Sequence, residues 1–302
     1  MGRRDERGNG AAAPTIASRP WEKRAAPAPL DEDRSSGPGT ASRRRSEAAT
    51  RAKKRPQQAS KRLTPPDAEE MLRRALLAQT TRSRALWAKR GLSLRGPLDV
   101  STHGLLLRQL YLARYEDRRF EQAVAIAKQM VDLGVLPDVA HQDAARASVA
   151  LGDLEGALGH LRLATRIAPP SRRAFHWWTL GSVLHLAGRH DEAIAALSRA
   201  LRWGTTDKPL YLGHLAVVQR ERGVESPELG PLIAQLAAAP AGQGYGRFVL
   251  GHLAFLDGRW DEARAYLEAF VRRSSSGRAI LAISLEGEIS RARETLARLP
   301  PS

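Results

Sequence analysis

A six-residue pattern recurs along the chain and constrains its fold more than any other feature. Each copy begins with Gly, continues with a polar and then a bulky residue, and ends with Ala five positions after the Gly; the copies are 152–157, 188–193, 258–263 and 287–292, with 118–123 as a fifth that has Arg118 instead of Gly. Gly can end a helix in the left-handed backbone conformation without steric cost. Acidic residues then suit the positive start of a second helix, and the small Ala lets the two helices approach closely. The pattern therefore predicts helix-turn-helix hairpins.

The hairpins are spaced by a regular period. The anchoring Ala residues stand at positions 85, 123, 157, 193, 263 and 292, separated by 38, 34, 36, 70 and 29 residues. Since 70 is two periods of 35, a degenerate copy is expected between 193 and 263. Apolar residues three and four apart fill the segments from residue 66 onward, which indicates amphipathic helices, and no alternating strand pattern interrupts them.

The best copy, residues 174 to 207, carries Trp177-x2-Leu180-Gly181-x2-Leu184 before its turn and Ala193-x3-Leu197 after it, followed by Ala200. With a period near 34, this motif resembles the tetratricopeptide repeat (TPR) family. The resemblance implies an all-α fold, a right-handed superhelical solenoid of about six to seven repeats. The expected units are 66–99, 104–137, 138–171, 174–207, a degenerate unit whose second helix begins at Ser226-Pro227-Glu228, 244–275, and a shortened 276–299 with Arg291, Arg293 and Glu294 on an outer capping face.

In the TPR family the first helix of each repeat lines a groove that binds peptides. The resemblance places a basic and polar stripe, then an aromatic and histidine-bearing one, along this groove: Arg108, Gln109, Gln142, Arg146, Phe175, Trp178, His185, Tyr211, His214, Tyr245, Phe248 and His252. A peptide with an acidic and an apolar end would match it. The alternative that Trp178 and Phe248 merely pack between helices stays open. The paired Asn residues of TPR domains that clamp chaperone C-termini are missing, which disfavours a co-chaperone.

The positive charge is concentrated at the start of the chain. The net charge is +16, and residues 1 to 65 hold 16 Lys and Arg against 7 Asp and Glu. This segment has few large apolar residues, so we expect residues 1–65 to be a disordered basic tail and residues 66–302 to be the repeat domain. The tail, with clusters at 43–45 and 53–55, indicates an alternative function, in which the tail binds nucleic acid or an anionic surface and the solenoid is an assembly module.

Reactive chemistry is not indicated by the sequence. There is no Cys, and no Walker A, HExxH, GxSxG or calcium-loop pattern occurs. The His spacings do not suggest a metal site. We therefore predict a non-enzymatic scaffold without cofactor or metal that binds a partner protein or peptide. Without a signal peptide or an apolar span we expect it in the cytoplasm, and 41 Arg against 7 Lys suggests a bacterium with a GC-rich genome.

Overall fold

The computed structural model describes residues 67–277 and 279–301, so the expected basic tail lies outside the described residues. The described part is all-α, with fourteen α-helices and no strand. The helices are α1 Ala68–Leu77, α2 Thr81–Leu92, α3 Val100–Glu116, α4 Phe120–Leu133, α5 Pro137–Ala150, α6 Leu154–Ile167, α7 Pro170–Leu186, α8 His190–Trp203, α9 Lys208–Arg222, α10 Leu229–Ala238, α11 Gly246–Leu256, α12 Trp260–Ser275, α13 Ala279–Ser284 and α14 Glu286–Ala297.

Consecutive helices pair as hairpins, from α1 with α2 to α11 with α12, and each hairpin packs on the next along the chain. Each predicted unit up to 244–275 therefore corresponds to one observed pair, and the degenerate unit is α9 and α10, but α3 and α7 begin before the predicted units 104–137 and 174–207. The second helix of this unit begins later in the chain than the predicted Ser226. Glu228 precedes its first helical residue, and no side chain caps the helix.

The predicted turns have the expected backbone. Gly152, Gly188 and Gly258 have φ angles between 71° and 81°, in the left-handed region that Gly adopts without strain. Arg118, which replaces Gly in the second hairpin, has a φ of 56° and accepts the same conformation. The expectation for Gly287 is wrong, because this residue lies inside α14.

Small residues allow the two helices of a hairpin to approach closely. The anchoring Ala residues at 85, 123, 157, 193, 263 and 292 are all buried. A Cβ atom on Gly181 would lie 2.7 Å from the Leu197 side chain, and one on Gly251 would lie 2.5 Å from Leu267. Both Gly residues therefore make room for a Leu that the second helix presents.

The apolar core is divided along the array. One cluster joins the first hairpins around Tyr111 and Tyr115, a second surrounds Leu161 and Leu197, and a third contains the buried side chains of the last hairpins. Stability then comes from contacts between neighbouring hairpins, as in repeat proteins generally. Within the part of the chain that the structure describes, no helix is long and apolar enough to cross a membrane.

Candidate functional site

The first helices of successive hairpins contact one another through a shared surface. We call this surface the inner face and define it by the facing side chains of α3, α5, α7, α9 and α11. All twelve predicted groove residues lie on these helices or immediately before one, as Tyr245 does, and each is buried or partly buried. Their role in partner binding stays a prediction.

The predicted basic stripe is partly neutralised. Arg108 from α3 and Arg146 from α5 both donate to the buried carboxylate of Asp143, over 3.1 and 3.2 Å. Gln109 and Gln142 are buried on the same two helices. Arg108 therefore joins α3 to α5 through this carboxylate, and Arg146 pairs with it within α5, while both arginine side chains keep about a third of their surface exposed.

The aromatic residues form a continuous cluster of tilted and edge-to-face rings across three hairpins. The Trp178 ring lies 5.9 Å from Phe175, 6.3 Å from Tyr211 and 4.7 Å from Tyr245, the last in an edge-to-face arrangement. Tyr245 in turn packs against Phe248, which is almost fully buried. Phe248 thus belongs to the core, whereas Trp178 lies at its partly exposed margin.

Three histidines lie together on the inner face, beside a carboxylate that the sequence analysis missed. His185 Nε2 is 2.7 Å from Glu221 Oε2, and His185 Nδ1 is 2.9 Å from His214 Nε2. An ionised carboxylate can only accept, so His185 donates to Glu221 through Nε2 and accepts from His214 through Nδ1. His252 packs against Phe248 at 4.5 Å between ring centroids.

The last two helices cover this histidine group. We call α13, α14 and their connection, residues 279–297, the C-terminal strap. Arg291 of the strap donates to Glu221 over 2.5 Å, and Tyr245 donates to Glu288 over 3.3 Å. This arrangement corrects the expected outer cap: Arg293 and Glu294 are exposed, but Arg291 points to the inner face because Glu221 offers it a charged partner.

The strap also reaches the beginning of the array. α13 packs against α3 and α5, and Ile283 is buried in the cluster that contains Tyr111 and Tyr115. Arg118, after α3, lies 3.5 Å from Glu286. The strap therefore connects hairpins that are far apart in the chain.

Burial and ion pairing shift the pKa values of these groups in opposite directions. Burial would raise the pKa of Glu221, but His185 and Arg291 outweigh it and lower that pKa to about 2. Burial lowers the pKa of His214 well below its usual value, and with the charge of Arg291 it lowers that of His252 to about 3. Burial raises the pKa of Glu288 to about 7, although the hydrogen bond from Tyr245 opposes this shift. At neutral pH the site thus holds neutral histidines and an ionised Glu221 paired with Arg291, while the carboxyl of Glu288, with a pKa of about 7, is partly protonated.

A second buried polar group joins α5 to α7. Asp138 accepts two hydrogen bonds from Arg172, over 2.7 and 2.9 Å, and one from His176 over 2.9 Å. Burial opposes ionisation of Asp138, but these donors lower its pKa. The three residues are separated by 34 and 38 positions, and Arg108 and Asp143 by 35. Opposite charges one repeat period apart were therefore the sequence signal that could have found these contacts.

No group of three or more His, Asp or Glu side chains within residues 67–277 and 279–301 has an arrangement that could hold a metal ion. The short His185 to His214 distance is a hydrogen bond between rings. Chemically, the inner face offers a carboxylate, neutral imidazoles and aromatic rings, which suit recognition of a polar and apolar peptide surface.

Comparisons with known proteins find similar solved structures but no similar sequence. No known family's sequence model matches the chain, and no curated protein matches it. Similar solved structures include a TPR repeats protein from Bacteroides fragilis (14% identity, 74% of this chain and 99% of that one, TM-score 0.32). Two others are the TPR2AB-domain:pHSP90 complex of yeast Sti1 (12%, 76% and 98%, 0.28) and the TPR domain of P58(IPK) (13%, 76% and 77%, 0.31).

The repeat unit itself decides the architecture. A Gly of the first helix, Gly181 or Gly251, packs against a Leu of the second, and a left-handed Gly joins the two helices. The protein is TPR-like.

Proposed function

We propose that this TPR-like protein is a non-enzymatic scaffold that binds a segment of a partner protein on its inner face. One observation supports this proposal above the others: the inner face already holds a helical segment, the C-terminal strap. The strap is held by an aliphatic contact at Ile283, an ion pair at Arg291 and a hydrogen bond at Glu288. A surface that accommodates one helix through such contacts has the shape and chemistry to accept another.

The inner face also suits selective binding. Its partly exposed Trp178 provides an aromatic contact of the kind that contributes strongly at protein interfaces. Arg108 and Arg146, on the preceding first helices α3 and α5, keep about a third of their side-chain surface exposed. The alternative, anion binding through residues 1–65, gains no support from the described residues.

Selection of peptides on the immobilised full-length chain tests the proposal. A library of helical peptides is selected, and hydrogen exchange with bound peptide maps the protected amides. We expect protection on α3, α5, α7, α9 and α11, the first helices. Protection confined to the second helices, such as α4, α8 and α12, would overturn the proposal.

A pair of matched Trp variants sharpens this test. Trp178→Ala should weaken the selected peptides by about ten-fold or more, the range of a significant interface contact. Trp203→Ala, on α8 with 44% of its surface exposed, should leave affinity unchanged. Phe248 is unsuitable because its removal from the core would cost about 3–5 kcal/mol of stability. Equal affinities for both folded Trp variants would contradict the assignment of Trp178.

A further inference from the structure

The strap occupies the surface that a partner would need. Its contacts reach α3 and α5 through α13, α9 through Arg291, and α11 through Glu288. On α7, a Cβ atom at Gly287 would lie 3.3 Å from Leu186, so the strap backbone lies close to that helix as well. A partner segment could not contact the histidine group and the strap positions at the same time.

α14 is anchored, because it packs on α12 and buries Ile289 and Ala292 in the core of the last hairpins, but several features make α13 and the Glu288 contact the weakly held part of the strap. α13 has six residues, too few to be stable as a helix without tertiary contacts. Before it, α12 is followed by the exposed small residues Ser276 and Gly277. The strap also buries the carboxyl group of Glu288, which accepts a hydrogen bond from Tyr245. Desolvation disfavours the ionised form of this carboxyl. Opening would return this carboxyl to water.

The surface beneath the strap is incompletely satisfied in its closed state. His214 Nδ1, His252 Nε2 and Trp178 Nε1 are buried without a hydrogen-bond partner among the described residues. Such atoms cost about 1–3 kcal/mol each when they have no partner. A ligand with suitably placed donors and acceptors would therefore make hydrogen bonds to this surface that the strap does not make.

We propose that the C-terminal strap is an internal competitor for the inner face, and that the partner is an amphipathic helix which displaces it. This inference rests on the proposed function. The partner helix carries an arginine that replaces Arg291 at Glu221. When the strap leaves, the Glu221 carboxylate loses Arg291 and keeps only His185 as a hydrogen-bonding partner among the contacts described above. It also carries aliphatic side chains that replace Ile283 against Tyr111 and Tyr115.

The order of charges defines the partner further. In the strap, aliphatic Ile283 precedes acidic Glu286 and Glu288, and Arg291 follows them. Glu286 lies near Arg118 and Arg291 lies on Glu221, so the surface itself is basic at one end and acidic at the other. The competing helix is expected to have the same order, acidic before basic. A reversed helix would place like charges together.

A labelled synthetic peptide with the sequence of residues 279–299 is the probe. Its affinity is measured by fluorescence anisotropy for the full-length wild type and for a full-length double variant, Ile283→Ser with Arg291→Ala. If the strap competes, the apparent Kd of the wild type equals the Kd of the open form divided by the fraction of molecules in which the strap is open. We expect the double variant to bind at least about ten-fold more tightly than the wild type.

Two controls give the result its meaning. Arg293→Ala removes an exposed arginine from the same helix and should behave as the wild type. A peptide with its own Arg291→Glu substitution should lose binding to the double variant. Should the double variant lose its helical circular dichroism, the single Arg291→Ala chain replaces it. Hydrogen exchange in the wild type should then show the strap opening with less protection than α7 and α8.

The outcomes separate the two proposals. Equal, saturable binding to the wild type and to the strap variant would overturn the competition while leaving the inner face as a binding surface. Absence of peptide binding to every folded variant would overturn the inferred partner chemistry, and peptide selection would decide the proposed function independently. Strap amides as protected as those of α7 would also overturn the inference.

Discussion

The carboxyl group of Glu288 should make the stability of the closed strap depend on pH. Only 7% of this residue is exposed, and burial raises its pKa from 4.5 to about 7. Between these two values the folded chain binds a proton that the unfolded chain has released, so the free energy of unfolding falls as pH rises. At 1.36 kcal/mol per pKa unit, the loss reaches about 3 kcal/mol above pH 7.

Glu288→Gln removes this titration and keeps an oxygen that can accept from Tyr245. We expect the variant to match the wild type near pH 4.5 and to be more stable by about 3 kcal/mol at pH 8. Urea unfolding at several pH values measures the difference, in which other titrating groups cancel. Glu286→Gln, at an exposed carboxylate two residues away, should show no comparable pH-dependent gain. A Glu288→Gln difference that is the same at pH 5 and pH 8 would refute the reasoning.

Three other predictions test the histidine group and the repeat register. Burial keeps the pKa of His252 at about 3, so the free energy of unfolding of the wild type should fall by about 2 kcal/mol more than that of His252→Leu between pH 6.5 and pH 5. Urea unfolding measures both, and parallel pH curves would contradict this. Ala193→Arg should lower the free energy of unfolding by a few kcal/mol, whereas Ala195→Arg, at an exposed position of the same helix, should not. Equal melting temperatures of the two variants would exclude the proposed repeat register. Gly251→Ala should lower the free energy of unfolding by about 1–3 kcal/mol, because the added methyl group would meet Leu267. Gly159→Ala, with open space around it, should raise the free energy of unfolding by up to about 1 kcal/mol. The reverse order of melting temperatures would refute the close contact.

The hairpins were predictable because their determinants are local and repeated. A left-handed Gly, an acidic helix start and a buried Ala recur within six residues, and each has one dominant structural consequence. Even the substitution by Arg118 did not hide the second turn, because the helical periodicity and Ala123 remained. Boundaries were less certain where the signal was a single cap, as at Ser226.

The contacts between hairpins were not predicted, although the period contained part of the information. Charges that meet across the array are one period apart, as Asp138 and Arg172 are. The link between Arg291 and Glu221 spans 70 residues, two periods, and depends on where the strap lies. No local pattern specifies that position, because it follows from the packing of all the intervening hairpins.

Gly287 shows why a repeat motif loses its meaning at the end of an array. In an internal repeat, the next hairpin covers the second helix, and the turn Gly directs the chain toward that position. After α12 no further full hairpin follows in the described residues, so α14 packs mainly on α12 and also on α11, while α13 packs on α3 and α5. Gly287 then remains within a helix, where its missing side chain permits close approach to Leu186. The same residue type therefore serves as a turn in the internal repeats and as a contact in the strap, and the difference arises from what is left unpacked.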